Sequence, residues 1–360
     1  MRRRLRLFVV LSLAAVGVAA ATLLSGGRPA RVARAADVWT VQVGGDRDAG
    51  TISVNSFLPS TLSVHLGDVV DFHFTAVTPH SVWLPAGEPT PPLIGPGPGA
   101  GELALGPAFF PIPAGPERTD VTFDGRTSFN AGVPAGGEES SFRVTFAVAG
   151  VFPYLCPIHP GMNGVVEVLA AGAPLPETPA QASARGAAQE AALLTQVRAD
   201  IETVRSAPGM APGATAVHSA AVGIASLVGP GTAGGASALL FLPRTLTVRR
   251  GDLVVWVNAD PLEVHTVTFT SGAAPPPFFE VRPGPAGAMG PPLLVIPADV
   301  AGPAGGPVYT GQGYANSGLV TPGNGWALTI DAPAGSYEYV CLIHVGPDGT
   351  GMRGTVIVTE

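Results

Sequence analysis

The sequence predicts an all-β protein: two Greek-key β-sandwiches joined by a linker that contains one α-helix. Three observations predict this fold class. Short runs of apolar and β-branched residues alternate with polar residues, as half-buried strands do. A second set of such runs repeats the first set 184 to 185 residues later. Between the two sets, apolar residues recur at helical spacing.

The first 35 residues predict an export signal. Four arginines stand among the first six residues, an apolar run follows from Leu7 to about Leu24, and Ala33-Arg34-Ala35 resembles a cleavage site. Because the apolar run approaches the length that crosses a bilayer, an uncleaved N-terminal membrane anchor stays open as the alternative. In either case we expect the rest of the chain to be exported, to the periplasm or the extracellular space.

The chain that remains after residues 1–35 is strongly acidic. The signal segment holds seven of the 19 basic residues and none of the 26 acidic ones, which leaves a formal charge of −14. An acidic surface argues against nucleic acid and anionic lipid as partners. A redox protein is the expected partner, and the sequence does not identify it.

The repeat divides the exported chain into two domains, which we place at residues 38–169 and 214–360 with a linker at 170–213. Phe57 to Leu62 matches Phe241 to Leu246, and the Gly-Asp pair that follows is matched at the same offset. Seven or eight short strands in each half indicate a Greek-key sandwich. The expected strands include Val69 to Phe74, Phe142 to Phe146 and Val165 to Leu169, and in the second half Leu253 to Val257, Trp326 to Ile330 and Thr355 to Val358.

Each half also carries a long insertion rich in Pro and Gly, roughly Ala86 to Pro116 and Ala273 to Gly306. These segments lack the regular pattern of strands, so we expect loops. They either cover one end of each sandwich or are loosely ordered.

The linker predicts one helix. Thr178-Pro179-Ala180-Gln181 has a capping Thr, a Pro at the first helical position and a Gln at the capping-box position. Leu194, Val197, Ile201 and Val204 then recur at helical spacing, until Ser206-Ala207-Pro208-Gly209 ends the pattern. We expect this apolar stripe to pack on a domain or on a partner subunit.

The two cysteines of the chain lie in matching motifs near the ends of the two halves. Each is followed three residues later by a His and then by a Met, and each half has a further His upstream. A thiolate, two imidazoles and a weak thioether suit copper in an electron-transfer site. A disulfide is disfavoured, because it would join equivalent positions of two domains and leave the matching His and Met residues without a role. The candidate ligands are His80, Cys156, His159 and Met162 in the first half and His265, Cys341, His344 and Met352 in the second.

The second loop is longer than the first. Gly161-Met162-Asn163-Gly164 aligns with Gly351-Met352-Arg353-Gly354, which indicates a five-residue insertion before a retained axial Met. A longer loop could also move the thioether away from the metal, so whether Met352 is a ligand stays open.

With these motifs the chain resembles the cupredoxins, the plastocyanin/azurin/amicyanin family of type 1 blue-copper proteins, in two copies. The resemblance implies one type 1 copper per half, with Cys and both His as strong ligands and Met as the weak axial ligand. It also implies that His159 and His344 reach the surface through an apolar patch and pass electrons there. Family members commonly have Asn after the upstream His. Here Ser81 and Thr266 stand in its place, and their hydroxyls can hydrogen-bond across the loop.

The predicted function is therefore electron transfer by two type 1 coppers, without enzymatic activity. Copper oxidases and two-domain nitrite reductases, the enzyme alternative, build a second copper centre from His-x-His pairs and a His directly before the Cys. Leu155 and Val340 precede the cysteines here, and no His-x-His occurs. Copper storage or delivery is the other alternative. The remaining histidines, which have no equivalents in the other half and for which we expect no metal role, are His65, His73 and His218.

Overall fold

A computed structural model describes residues 35–113, 120–134, 139–206, 216–227, 234–284, 292–346 and 349–360. Residues Ala36–Glu360 form one compact unit. Apart from Ala35, the predicted signal segment lies outside the described residues. Within the described ranges, no helix has the length and apolar character needed to cross a membrane.

In the described residues of the first half and the linker there are twelve strands and one long helix. They are β1 (Val38–Arg47), β2 (Ile52–Leu58), β3 (Thr61–His65), β4 (Val69–Phe74), β5 (Trp83–Leu84), β6 (Ile94–Pro96), β7 (Leu103–Leu105), β8 (Asp120–Phe123), β9 (Phe129–Asn130), β10 (Ser140–Phe146), β11 (Gly150–Leu155), β12 (Asn163–Leu169) and α1 (Pro179–Ser206), with a 3₁₀ turn at Pro107–Phe109.

The second half repeats this order among its described residues. Its elements are β13 (Val217–Leu227), β14 (Gly234–Leu242), β15 (Thr245–Arg249), β16 (Asp252–Ala259), β17 (Thr268–Phe269), β18 (Glu280–Arg282), β19 (Leu293–Ile296), α2 (Ala298–Ala301), β20 (Val308–Tyr309), β21 (Ala315–Asn316), β22 (Gly325–Ile330), β23 (Gly335–Val345) and β24 (Gly351–Thr359).

Each half is a sandwich of two five-stranded layers with the same strand order. The layers of the first half are β2-β1-β4-β10-β8 and β3-β12-β11-β5-β9, and those of the second are β14-β13-β16-β22-β20 and β15-β24-β23-β17-β21. The architecture confirms the predicted all-β fold class with a helix between the two sets of strands. All six strands expected from the sequence are present. The domain boundaries at 38–169 and 214–360 stay a prediction.

Aromatic rings occupy equivalent places in the two cores. Phe57 packs edge-on against Tyr154 with ring centroids 4.8 Å apart, and Phe241 packs in the same way against Tyr339 at 4.7 Å. Both tyrosines lie two residues before a Cys, and both are buried. These contacts hold the strand that leads into each Cys loop against the opposite sheet.

The two halves share one sheet. Strand β2 pairs antiparallel with β14, from Ser56 opposite Gly234 to Ile52 opposite Ala238, which joins one layer of each half into a ten-stranded sheet. Every residue of β2 is buried. A strand that is an edge in one half is therefore an interior strand of the whole molecule, and its backbone hydrogen bonds are satisfied across the junction.

Helix α1 lies on this junction. The Thr178 hydroxyl accepts the N–H of Gln181 at 3.3 Å, and the Gln181 side-chain oxygen accepts the N–H of Thr178 at 2.8 Å, which confirms the capping box. Val197 and Ile201 are buried in one cluster with Ile52 of β2 and residues of β13 and β14. The predicted apolar stripe thus packs on both halves at once.

The prediction that the insertions form loops is wrong in part. Four short strands of the two insertions form a separate sheet in the order β18-β19-β7-β6. Its central pairing crosses between the halves, with Ala104 opposite Val295, and Arg282 forms an ion pair with Glu102 at 2.9 Å. Each strand is only three or four residues long. Strands this short leave no detectable pattern in the sequence. The two central strands, β7 and β19, also find each other only across the two halves.

Candidate metal centres

The first cluster brings together His80, Cys156 and His159. Cys156 follows the end of β11, His159 lies in the loop that leads to β12, and His80 lies just before β5. Their nearest ligand atoms all lie within 4.8 Å of one another, and Cys156 Sγ is 3.7 Å from His159 Nδ1. All three residues are buried, so these donors face each other rather than water.

Met162 closes the first loop. The N–H of Cys156 donates to the carbonyl oxygen of Met162 at 2.8 Å, and the N–H of Met162 donates to that of His159 at 3.2 Å. Gly161 has a φ of +79°, which permits the tight turn before Met162. The Met162 side chain is buried in the same core cluster as Cys156. The loop thus holds Cys, His and Met in one compact turn.

The second cluster contains His265, Cys341 and His344. Cys341 Sγ lies 3.4 Å from His344 Nδ1 and 3.9 Å from His265 Nδ1, and the two Nδ1 atoms are 3.1 Å apart. On either side of the inserted residues, Val345 of β23 lies opposite Gly351 of β24. Met352 is fully buried in the same core cluster as Cys341.

The neighbouring imidazoles lower the pKa of both cysteine thiols. Burial alone would raise the pKa of the Cys156 thiol, but the adjacent His159 and His80 rings lower it to about 5. Burial would likewise raise the pKa of Cys341, and the charge of His344 brings it well below its usual range. The thiolate is the form of cysteine that binds a metal, so the lowered pKa of each thiol favours metal binding.

The upstream histidines are held by glycines in β-bulges. Gly44 in β1 has a φ of +67°, and a Cβ atom built there would lie 2.1 Å from Nε2 of His80. Gly223 in β13 has a φ of +70°, and its Cβ would lie 2.4 Å from Nε2 of His265. Both bulges interrupt the register of their strand, so backbone covers one edge of each ring.

The donor set fits a metal ion. Both ring nitrogens of His80 are buried and without a hydrogen-bond partner in the protein. A buried polar atom without a partner costs free energy unless a ligand satisfies it. An ion bound beside Cys156 would satisfy the His80 nitrogen that faces the sulfur.

Backbone and hydroxyl groups support the sulfurs. The N–H of Ser81 donates to Cys156 Sγ at 3.5 Å, and the N–H of Thr266 donates to Cys341 Sγ at 3.3 Å. The Thr266 hydroxyl accepts the N–H of Leu342 at 2.8 Å, as expected for a bond across the loop. The Ser81 hydroxyl takes another partner, Asn130, whose side-chain oxygen accepts it at 2.7 Å.

Two buried asparagines hold neighbouring backbone segments through side-chain hydrogen bonds, and neither was predicted from the sequence. The Asn130 amide donates to the carbonyl oxygens of Ala108 and Phe110 at 2.9 and 2.8 Å. Asn316 occupies the matching place in the second half and donates to Asp299 and Val300. The two asparagines lie 186 residues apart, close to the offset of the repeat, and this spacing is the sequence signal that could have identified them.

The expectation that His159 and His344 reach the surface is wrong. Their side chains are only 2% and 6% exposed. The Nε2 atoms of both point to the carboxylate of Glu263, which is itself buried. Glu263 of the second half covers His159 across the junction, and it covers His344 within its own half. Glu263 lies two residues before His265, where the first half has Thr78, so nothing in the repeat indicated it.

The other three histidines have ordinary partners. Nε2 of His65 lies 2.8 Å from the carbonyl oxygen of Ala173, His73 contacts Glu139 at 2.6 Å, and His218 contacts Asp252 at 2.8 Å. Among the described residues, none of them joins a cluster of three potential metal ligands.

Comparisons with known proteins give one family match. Residues 231–359 match the family model of copper binding proteins, plastocyanin/azurin family. No curated protein sequence matches the chain.

The solved structures that match the chain each cover part of it. An oxidised amicyanin mutant is 22% identical over 33% of this chain and 73% of its own, with a TM-score of 0.20. Auracyanin A from Chloroflexus aurantiacus is 19% identical over 40% of this chain and 98% of its own, with a TM-score of 0.22. A purple cupredoxin from Nitrosopumilus maritimus is 16% identical over 39% and 98%, with a TM-score of 0.21. Residues 231–359, which include His265, Cys341, His344 and Met352, are thus similar to the plastocyanin/azurin family of copper-binding proteins.

Proposed function

We propose that the chain is an exported electron-transfer protein that binds one type 1 copper ion in each half. The observation that carries the proposal is the pair of buried clusters in which a Cys sulfur and two imidazoles converge. The same strand order around both clusters supports two copies of one domain. Export rests on the N-terminal sequence pattern alone.

The ligand sets fit the chemistry of a one-electron carrier. His80, Cys156 and His159 would hold copper in the first half, and Met162, buried on the same loop, would supply a weak fourth contact. Copper bound by such a set alternates between Cu(I) and Cu(II) and so takes up or releases one electron.

The protein contributes rigidity to this chemistry. The backbone N–H of Ser81 holds the Cys156 sulfur, and the bulge at Gly44 confines the His80 ring. Fixed ligands do not have to rearrange when the charge changes, which favours rapid electron exchange.

A carrier role is favoured over an enzyme role. The three strong donors of the first cluster are buried, as are His265 and Cys341 of the second, and the His344 side chain is only 6% exposed, so neither site offers an open coordination position to a substrate. The residues before the cysteines, Leu155 and Val340, cannot hold a second metal. We infer that an external redox protein supplies or receives the electron.

Anaerobic copper loading followed by electron paramagnetic resonance tests the proposal. We expect two coppers per chain, both with the narrow hyperfine splitting of thiolate ligation, and an intense visible absorption. Cys156→Ser and Cys341→Ser should each remove one copper and about half of the absorption, since each cysteine serves one site. His73→Gln, which changes a His outside both clusters, is the control.

Three outcomes would contradict the proposal. A colourless protein after loading excludes type 1 sites. Absorption that survives Cys156→Ser undiminished excludes the first cluster. Copper that binds without a reversible reduction potential indicates storage or delivery instead of electron transfer.

A further inference from the structure

One buried carboxylate contacts both clusters. Glu263 Oε1 lies 3.3 Å from Nε2 of His159 in the first half, and Glu263 Oε2 lies 3.7 Å from Nε2 of His344 in the second half. The exposed fraction of Glu263 is 7%. Each oxygen of a single side chain thus faces one loop histidine, and the two histidines come from different halves.

The orientation of the imidazoles makes this contact compatible with metal binding. Nδ1 of His159 faces Cys156 and Nδ1 of His344 faces Cys341, at 3.7 and 3.4 Å. A histidine that binds a metal through one nitrogen carries its proton on the other, and that N–H needs an acceptor. Glu263 Oε1 is within hydrogen-bond distance of the His159 ring, and Glu263 Oε2 is the carboxylate oxygen that faces the His344 ring, at ion-pair distance.

The junction is built to hold this carboxylate in place. The side-chain amide of Asn55, on β2 of the first half, donates to Glu263 Oε1 at 2.9 Å. Asn258 donates to the backbone carbonyl of Glu263 at 2.9 Å. Ser53 and Ser237 complete the buried network around Asn55. A buried charge is stable only when it is paired and hydrogen-bonded in this way.

The first half has no counterpart of Glu263, so this contact is not part of the repeat. Thr78 stands where the second half has Glu263, and its hydroxyl donates to Asp46 at 2.5 Å instead of contacting a loop histidine.

We propose that Glu263 is a positioning residue that links the two metal centres and gives the electron an internal route between them. The route runs from Cys341 and His344 through the Glu263 carboxylate to His159 and Cys156. Along it one electron leaves the reduced site and arrives at the oxidised one. Oxidation in one half balances reduction in the other, and no further reactant is needed. The inference rests on the proposed function, because it requires copper in both halves.

Glu263→Gln is the informative variant. Glutamine has the same shape, but one of its two terminal groups is an NH2 donor, so it cannot present an acceptor oxygen to each of the two rings, and it carries no charge. Glu102→Gln is the matched control, since Glu102 also joins the two halves through Arg282 but contacts neither cluster. Both variants are made in the full chain and loaded with copper.

Two measurements distinguish a link between the two metal centres from a general structural role of Glu263. Loss of a negative charge between the sites should raise the reduction potentials of both coppers in Glu263→Gln, and of neither in Glu102→Gln. After injection of one electron into the fully oxidised protein by pulse radiolysis, redistribution between the two sites should slow about tenfold or more in Glu263→Gln. Unchanged potentials, or a shift at one site only, would overturn the proposal.

A measurement on the unmodified chain covers the case in which Glu263→Gln does not fold. In protein whose sites are filled with Cu(I), nuclear magnetic resonance should show the ring N–H protons of His159 and His344 protected from exchange and close to the Glu263 side chain. Absence of either signal would overturn the proposal. A chain that binds no copper fails the proposed function instead, so the two failures are distinguishable.

Discussion

The backbone of Gly44 lies against the ring of His80 so closely that a Cβ atom there would be 2.1 Å from Nε2. Gly223 has the same relationship with His265, at 2.4 Å. A bulge that brings backbone onto an imidazole needs a residue without a side chain. Each upstream ligand is thus oriented by the opposite side of its own sandwich, far from the Cys loop in sequence.

Gly44→Ala should impair copper binding in the first half and spare the second. The new methyl group must displace the His80 ring, and the φ of +67° adds strain of about 1–3 kcal/mol. We expect close to one copper per chain and about half of the visible absorption, measured after loading and removal of excess metal.

Gly67→Ala is the control for this prediction. Gly67 has a φ of +87°, but a Cβ atom there meets nothing within 4 Å. Both variants carry the backbone strain, and only Gly44→Ala moves a ligand. Equal loss of copper from both variants would show that strain, not ring displacement, is responsible.

Asn130→Ala should destabilise the first half and alter its copper spectrum. It leaves the carbonyl oxygens of Ala108 and Phe110 and the hydroxyl of Ser81 without their partner, and unsatisfied buried groups cost about 1–3 kcal/mol each. Because the N–H of Ser81 bonds to Cys156, the thiolate absorption of this site should shift.

The free energy of unfolding and the visible spectrum check this prediction. Asn324→Ala, at an exposed residue whose side-chain amide donates to the Thr321 hydroxyl, should change neither. A stability loss without any spectral change would show that Asn130 supports the fold but not the metal site.

The sequence predicted what depends on local pattern and on the repeat. Strand β4 has the expected bounds, Val69–Phe74, because alternate residues face one core. The ligand clusters were also predictable, since the same residue types recur at one offset in both halves. The capping box at Thr178 and Gln181 is a local motif, and it is present.

What the sequence did not predict arises where the halves meet. Burial of His159 depends on the pairing of β2 with β14, and no local pattern encodes which edge strands pair. Glu263 occurs in one half only, so the repeat gave no signal for it. The two central insertion strands, β7 and β19, pair with each other about 190 residues apart in sequence, as Ala104 does with Val295.

Leu193→Ala in helix α1 should destabilise both halves together. Leu193 is buried in the cluster that the helix forms with β2, β13 and β14, and truncation of a buried Leu costs about 2–5 kcal/mol. Because the helix packs on both halves, we expect both copper absorptions to be lost in one transition at a lower temperature. Thr195→Ala, at an exposed helix position, should leave the melting temperature nearly unchanged. Loss of absorption from one half alone would contradict shared stabilisation.

Asp252 should make the stability of the second half depend on pH. Burial would raise the pKa of this carboxyl, but the N–H of Arg249 and the ring of His218 hold it below its usual range. A carboxyl whose pKa is lower when folded contributes its stabilisation above the unfolded pKa of about 3.9. That contribution is lost as the pH falls through the folded pKa.

Asp252→Asn should therefore be less stable than the native chain by about 1–2 kcal/mol at pH 7 and pH 5, and the difference should shrink at pH 3. Denaturant unfolding at these three pH values measures it, with Asp124→Asn at an exposed loop position as the control. A difference that stays constant down to pH 3 would show that Asp252 stabilises the fold through its shape and not through its charge.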